Sequence, residues 1–183
     1  MIIGITGTLG AGKGTVVEYL KTKGFKHYSG RQFLYEEIDR RGMERNRDSL
    51  NAVGEELRAT HGPGYLVEEQ LKRAQAVGGD IVIESIRTVG EVEALRVRGA
   101  LLWAVDADPK TRYERVALRG SETDKISYEK FLADEERESI AEDKGRMNLR
   151  KCIAMADVVL TNNGTQEELF AQVEAALQKY TQK

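Results

Sequence analysis

The sequence predicts an α/β fold, three layers deep (α/β/α), around a mainly parallel five-stranded sheet. Three observations predict it. Short apolar, β-type runs recur at residues 2–6, 25–28, 81–83, 101–105 and 158–160. Helical stretches separate them, and that alternation is the mark of parallel strands joined by crossover helices. The runs are nearly all apolar rather than alternating, which suits a sheet covered on both faces.

The first run leads straight into Gly7-Thr8-Leu9-Gly10-Ala11-Gly12-Lys13-Gly14-Thr15, and a helical pattern follows from Thr15 to Lys23. Strand, glycine-rich loop and helix in that order, with G-x-x-x-x-G-K spacing, form a phosphate-binding loop of the Walker A type. Gly7, Gly10, Gly12 and Gly14 are expected to free the backbone for close approach to phosphates, with Ala11 between them. The loop amides and the helix N-terminus then face the anion. Lys13 is placed to reach the β- and γ-phosphates of ATP, and the Thr15 hydroxyl to ligate Mg²⁺.

The remaining elements have readable ends. Thr88 with Glu91 three residues on forms a capping-box pattern, and so does Thr165 with Glu168. Asp108-Pro109 starts a helix with proline at its first position. Leu169, Val173 and Leu177 share one face of the last helix, and Gly24, Gly42 and Gly99 mark helix stops. Two regions break the rhythm. Residues 31–77 hold two or three consecutive helices, interrupted by His61-Gly62-Pro63-Gly64, and residues 119–150 form a highly charged insert. Both are expected to move over the loop as acceptor-binding and lid elements. The 183 residues suit a single domain, residues 1–183.

Composition narrows the partners. The formal net charge of −2 leaves no basic excess for a nucleic-acid backbone. No apolar stretch approaches a membrane span and no signal-like run opens the chain. The lone Cys152 excludes an intramolecular disulfide and reads as a small buried hydrophobe. A cytoplasmic protein acting on a small-molecule nucleotide fits these facts.

The Gly-Lys-Gly-Thr form of the loop resembles the adenylate kinase and nucleoside-monophosphate kinase group. Other segments resemble that group in order. Tyr28-Ser29-Gly30 resembles the opening of the monophosphate region. Ile83-Glu84-Ser85-Ile86-Arg87-Thr88 resembles a diverged acidic-Gly-Phe-Pro-Arg-Thr motif. Asp106-Ala107-Asp108, Arg112, Arg119 and Asp134-Glu135-Glu136-Arg137 resemble the lid and its approach, and Asn162-Asn163-Gly164-Thr165 the loop near adenine. The chain also resembles adenylate-kinase-like and dephospho-CoA-kinase-like predicted nucleotide kinases, particularly over residues 54–64.

The resemblance implies an ATP-dependent, Mg²⁺-dependent phosphotransferase acting on a nucleoside or deoxynucleoside monophosphate. Dephospho-CoA kinase is the nearest enzymic alternative, and an ATPase switch with a macromolecular partner is the alternative of another class. It implies Lys13, Arg87, Arg119 and Arg137 as phosphate-handling residues, with Arg115 able to replace Arg119. Asn163 is implied beside the base, and Glu84, or else Asp106, at the metal. Arg31 and Leu34 depart from the pattern: a typical adenylate kinase has an aspartate and a phosphate-binding arginine there. Arg31, Arg40, Arg41, Arg45, Arg47 and Arg58 crowd the first insertion, where one or two are candidates for the acceptor and the rest for solvated or salt-bridged faces. Tyr28, Phe33 and Tyr35 are candidates for base stacking, and Trp103 for the core. His27 and His61 lack metal-like spacing, and His61 reads as part of a turn.

Overall fold

The computed structural model describes residues 1–120 and 126–181. Five strands, β1 (Ile2–Thr6), β2 (Lys26–Ser29), β3 (Ile81–Ile86), β4 (Leu101–Asp106) and β5 (Val158–Thr161), pair in the order β2-β3-β1-β4-β5. Every pairing is parallel. The expected strand positions hold, with shifts of one to three residues at the ends. Phe25 precedes β2 as a buried core residue, and β3 runs on to Ile86, because Glu84 pairs with Ser29 and Ile86 with Thr6.

Side chains alternate between the two faces, as parallel strands require. Ile3, Ile5, Val82, Trp103, Val105 and Leu160 pack on one face against α1 (Lys13–Thr22) and α9 (Gln166–Thr181). Ile81, Ile83, Ile86 and Leu102 pack on the other against α4 (Tyr65–Gln75), α5 (Val89–Val97) and α8 (Leu149–Ala154). Those are the three layers. Trp103 is fully buried. Cys152 lies in the second cluster, where burial pushes its thiol up to about 12, so it is not a nucleophile at neutral pH.

The first of the two regions holds three helices: α2 (Gly30–Arg40), α3 (Arg47–His61) and α4. Leu34, Ile38, Leu50, Val53, Leu57 and Leu66 give them a small core of their own. α4 also lends Val67, Leu71 and Ala74 to the main core. The second region, residues 119–150, follows α6 (Pro109–Arg119) and holds α7 (Tyr128–Arg137) and the start of α8. Residues 121–125 of the expected lid lie outside the described residues. Among those described, no helix is long and apolar enough to cross a membrane.

The expected helix starts are present. Thr88 and Glu91 form a full capping box. Asp108 precedes Pro109 at the first position of α6. Thr165 and Glu168 exchange backbone-to-side-chain hydrogen bonds at the head of α9.

One buried ion pair ties the insertion to the sheet. Glu91, 1 % exposed, accepts from Arg58 Nε at 3.0 Å and Nη2 at 2.7 Å through one oxygen. Its other oxygen accepts from the backbone N–H groups of Arg87 at 2.8 Å and Thr88 at 3.2 Å. A buried carboxylate with its cation removed is far more costly than the intact pair is favourable. Arg58→Ala is therefore expected to lower stability by about 3–5 kcal/mol in urea unfolding. A loss under about 1 kcal/mol would mean that the backbone donors alone sustain the charge.

Candidate functional site

The site forms where α/β folds bind ligands, at the carboxyl ends of the strands beside β1. The loop after β1 is shaped by its glycines. Gly7 has φ 137°, and a Cβ there would sit 2.1 Å from the Val105 carbonyl oxygen of β4. Gly12 caps α1 at φ 100°, and a Cβ there would sit 2.1 Å from Asn162 Nδ2. That amide donates to the Ala11 carbonyl at 2.8 Å and fixes the loop from the far side. Gly14 behaves otherwise than expected: it lies inside α1, has no left-handed φ and leaves open space where its Cβ would be. The helix also starts two residues earlier than its pattern suggests, at Lys13, because Gly12 supplies the turn. The first amides of α1 therefore face the loop with no intrahelical acceptor.

Lys13 folds back onto its own loop, donating to the Gly7 and Thr8 carbonyls at 2.7 and 2.8 Å. Desolvation and the nearby Arg87 lower its pKa to about 7, against the pull of Glu84 and Glu138. Thr15 is half-buried in the first turn of α1. Glu84 lies on β3, paired in register with Ile5, and accepts from the Ser29 hydroxyl at 2.7 Å. Asp106 ends β4 on the opposite flank and accepts from the Thr8 hydroxyl at 3.3 Å. Thus both acidic metal candidates flank the loop.

Between the loop and the helical insertion lies a cleft lined by Lys13, Arg31, Arg47, Arg58 and Arg87, with Asn51, Ser85 and Glu138. Leu34, Leu50, Leu66, Met147 and Leu149 supply its apolar wall. Burial, together with Arg31, Arg47 and Arg58, depresses the pKa of Arg87, and Glu138 acts in the opposite sense. Just before Arg87 the chain is strained. Ser85 is the non-glycine residue with φ of 73°, at a bulge where Ile5 pairs with Glu84 but Thr6 with Ile86. The Thr6 hydroxyl donates to the Ile86 carbonyl at 2.8 Å and braces the bulge. Strained residues at ligand clefts are held by surrounding structure.

The expected residues divide accordingly. Gly7, Lys13 and Arg87 meet at the cleft. Gly10, Ala11, Gly12 and Thr15 belong to the loop and the head of α1. Asn163 is exposed and accepts from the Asp108 backbone at 2.7 Å, while the buried member of its pair, Asn162, braces the loop. Arg119 ends α6 at the surface and does not line the cleft. Arg137 is also outside it: the side chain is 63 % exposed and pairs with Asp134 at 3.2 Å. Arg112 is buried and binds the Ala107 carbonyl and Glu135, so it has a bracing position. The aromatic candidates are engaged elsewhere. Phe33 and Tyr35 carry Arg73 and Arg45 over their rings, and Tyr28 packs against the sheet core. His61 stacks on Tyr65 with centroids 4.5 Å apart, and His27 lies 3.9 Å from Glu84.

Glu138 and Asn51 are polar cleft residues that the sequence reading did not name, and Arg47 is one that it left undivided among six arginines. A helical signal was available for them. Arg47, Asn51, Gly54 and Arg58 recur at spacings of four, three and four along α3, one stripe of a helix. Gly54 leaves room on that stripe for Arg58, whose Nη1 would lie 3.1 Å from an added Cβ. Likewise Phe131, Asp134 and Glu138 share the buried face of α7, with Arg137 turned away from it.

An anion in the loop favours the ammonium form of Lys13 and so raises its pKa above the empty protein's value of about 7. Pyrophosphate binding is expected to draw a proton from the buffer, and affinity to fall as pH rises from about 7 toward the ordinary lysine value of 10.5. Calorimetry at about pH 8 in two buffers of different ionisation enthalpy measures that uptake. Identical enthalpies in both buffers would place Lys13 at its ordinary value.

The chain resembles known proteins over most of its length. Residues 3–160 match the family described as AAA domain. The chain is 30 % identical over 180 residues to a UPF0200 protein of Thermococcus kodakarensis, covering 94 % of each chain. It is 30 % identical over 183 residues to a UPF0200 protein of Hyperthermus butylicus, covering 99 % of this chain and 95 % of that one. Among solved structures it is similar to TT1252 from Thermus thermophilus, at 26 % identity and TM-score 0.58, over 98 % of this chain and 97 % of that one. Shikimate kinase from Aquifex aeolicus shares the fold at 17 % identity and TM-score 0.55, over 99 % and 98 % of the two chains. With a P-loop kinase-like fold and matches over nearly its whole length, the chain belongs to the AAA domain family and to the UPF0200 proteins.

Proposed function

We propose that this protein is an Mg²⁺-dependent nucleotide kinase that moves the γ-phosphate of ATP to the phosphate of a nucleoside or deoxynucleoside monophosphate. The observation that carries this reading is the cleft beside the glycine loop, where, among the described residues, Lys13, Arg31, Arg47, Arg58 and Arg87 line the wall with one carboxylate, Glu138. Cations packed together out of water are costly until an anion joins them. Two phosphate-bearing ligands, one in the loop and one against the arginines, supply that charge.

The residues take roles that follow from their places. The loop amides and Lys13 bind the donor phosphates. Thr15 and Glu84 are suited to hold Mg²⁺, with Asp106 on the other flank. Among the described residues no three His, Cys, Asp or Glu side chains converge. That fits an ion that takes its remaining ligands from phosphate oxygens and water. When bound, the metal ion neutralises charge on the transferring group. Arg87 orients the acceptor phosphate, and Arg31, Arg47 and Arg58 surround it. Arg119 and Arg137 are left out of the binding set because neither lines the cleft.

A phosphate acceptor oxygen is ionised beforehand and needs no base, whereas a hydroxyl nucleophile such as that of dephospho-CoA calls for a carboxylate that accepts its proton.

The test is coupled ADP release with Mg·ATP against AMP, CMP, UMP, GMP, their deoxy forms and dephospho-CoA. The expected result is a large acceptor-dependent rate with a monophosphate. Turnover with dephospho-CoA alone would overturn the phosphate-acceptor reading, and slow hydrolysis indifferent to every acceptor would favour a nucleotide-driven switch. Lys13→Ala should cut transfer by about a hundredfold or more with the melting temperature retained. Arg87→Ala should raise the acceptor KM while ATP binding changes by less than about twofold. Equal loss on both sides would remove Arg87 from the acceptor subsite.

A further inference from the structure

Among the described residues, Glu138 is the carboxylate that lines the cleft. It follows α7 as its C-terminal cap. Its backbone is fixed at both ends: the N–H donates to the Asp134 carbonyl at 3.0 Å, and the carbonyl accepts from the Leu149 N–H at 3.1 Å. The side chain is 5 % exposed. One of its oxygens pairs with Arg47 Nη2 of α3, and the other faces Arg87 Nη1 at 3.4 Å.

The two contacts differ in quality. The Arg47 contact is close. The Arg87 contact is long, uses a single nitrogen, and shares that nitrogen with Met147 Sδ at 3.8 Å. Arg87 therefore keeps donors in reserve, although burial and the charges of Arg31, Arg47 and Arg58 bear on it. A carboxylate shared by two guanidinium groups occupies the position that one edge of a phosphate would take. It carries one negative charge, whereas a phosphate monoester carries about 1.5–2 at neutral pH and offers three oxygens.

We propose that Glu138 stands in the acceptor-phosphate subsite of the empty cleft, and that an acceptor binds by displacing it from Arg87. The proposal rests on the reading of the cleft as the acceptor site and adds a selection rule to it. A dianionic phosphate monoester outcompetes the carboxylate. A singly charged molecule does not, since Glu138 already offers the same single charge to Arg87. Glu138 thus disfavours weaker anions at a site whose bare charge would otherwise attract them.

Titration calorimetry on the intact chain with inorganic phosphate as the probe tests this. Glu138→Gln removes the competing charge at nearly constant shape and is expected to bind phosphate roughly tenfold tighter than the parent chain. The gain should vanish in Glu138→Gln combined with Arg87→Gln. Melting curves establish that each variant is folded. Should Glu138→Gln fail to fold, Glu138→Asp withdraws the carboxylate by one methylene and is expected to show a smaller gain. Unchanged or weaker phosphate binding in a folded Glu138 variant would overturn the proposal. So would a gain that survives loss of Arg87, since the anion would then sit elsewhere, for example in the glycine loop. Acceptor turnover plays no part in this readout, so the kinase reading and the displacement proposal can fail separately.

Discussion

Repulsion among Lys13, Arg31, Arg47, Arg58 and Arg87 is the constraint around which the site is built. Guanidinium groups held together at the edge of a low-dielectric core raise each other's energy. The protein answers that in three ways. Glu91 neutralises Arg58 from beneath. Glu138 divides its charge between Arg47 and Arg87. Lys13 turns its amine onto two loop carbonyls and partly gives up its proton near neutral pH. None of these answers removes all the charge, and the remainder is affinity for anions. The stability that sustains it comes from the two apolar clusters on the faces of the sheet, where Trp103, Ile3 and Leu102 are wholly buried.

The fold was legible because its signals are local. Apolar runs of strand length, a proline after an aspartate and two capping boxes each need only neighbouring residues to be understood. The glycine loop was legible for the same reason, although Gly14 turned out to be an ordinary helical residue. What could not be read was which side of a charged helix faces inward. Arg137 and Glu138 are adjacent, yet one points to solvent and the other into the cleft. A motif resemblance attaches to the segment, whereas the 100° turn between neighbours decides the role. Phe131 and Asp134 mark the inner face of α7, and Glu138 lies on their stripe. The crowded arginines of the first insertion were ambiguous in the same way, until α3 placed Arg47 and Arg58 on the stripe that lines the cleft.

Long-range partners were the other limit. Asn162 stabilises the loop across 151 residues of sequence. Its neighbour Asn163, equally amide-bearing, serves the Asp108 backbone instead. No spacing rule distinguishes the two, because the choice depends on which amide the β4–β5 register brings next to Ala11. The Glu91–Arg58 pair is a similar case. Glu91 was readable as a helix cap, but its second oxygen is reserved for a helix 33 residues earlier.

These connections also limit how the site can respond to a ligand. The backbone at Arg87 is held from both directions: its N–H by Glu91 at 2.8 Å, and its carbonyl by the Asn148 N–H at 2.9 Å. Thr88 bridges Met147 in an isolated antiparallel pair, and the Gly90 N–H reaches the Lys144 carbonyl at 3.0 Å. The strand end that carries Arg87 is therefore cross-linked to residues 144–148 and, through Arg58, to α3. With the backbone fixed, adjustment falls to side chains: the guanidinium of Arg87, the arm of Glu138, and Lys13, which can exchange carbonyls for phosphate. Short movements of that kind suit phosphoryl transfer, in which the protein gains most by holding charges in place. The strained Ser85 beside Arg87 belongs to the same design, because a bulge braced by the Thr6 hydroxyl fixes where the arginine leaves the sheet.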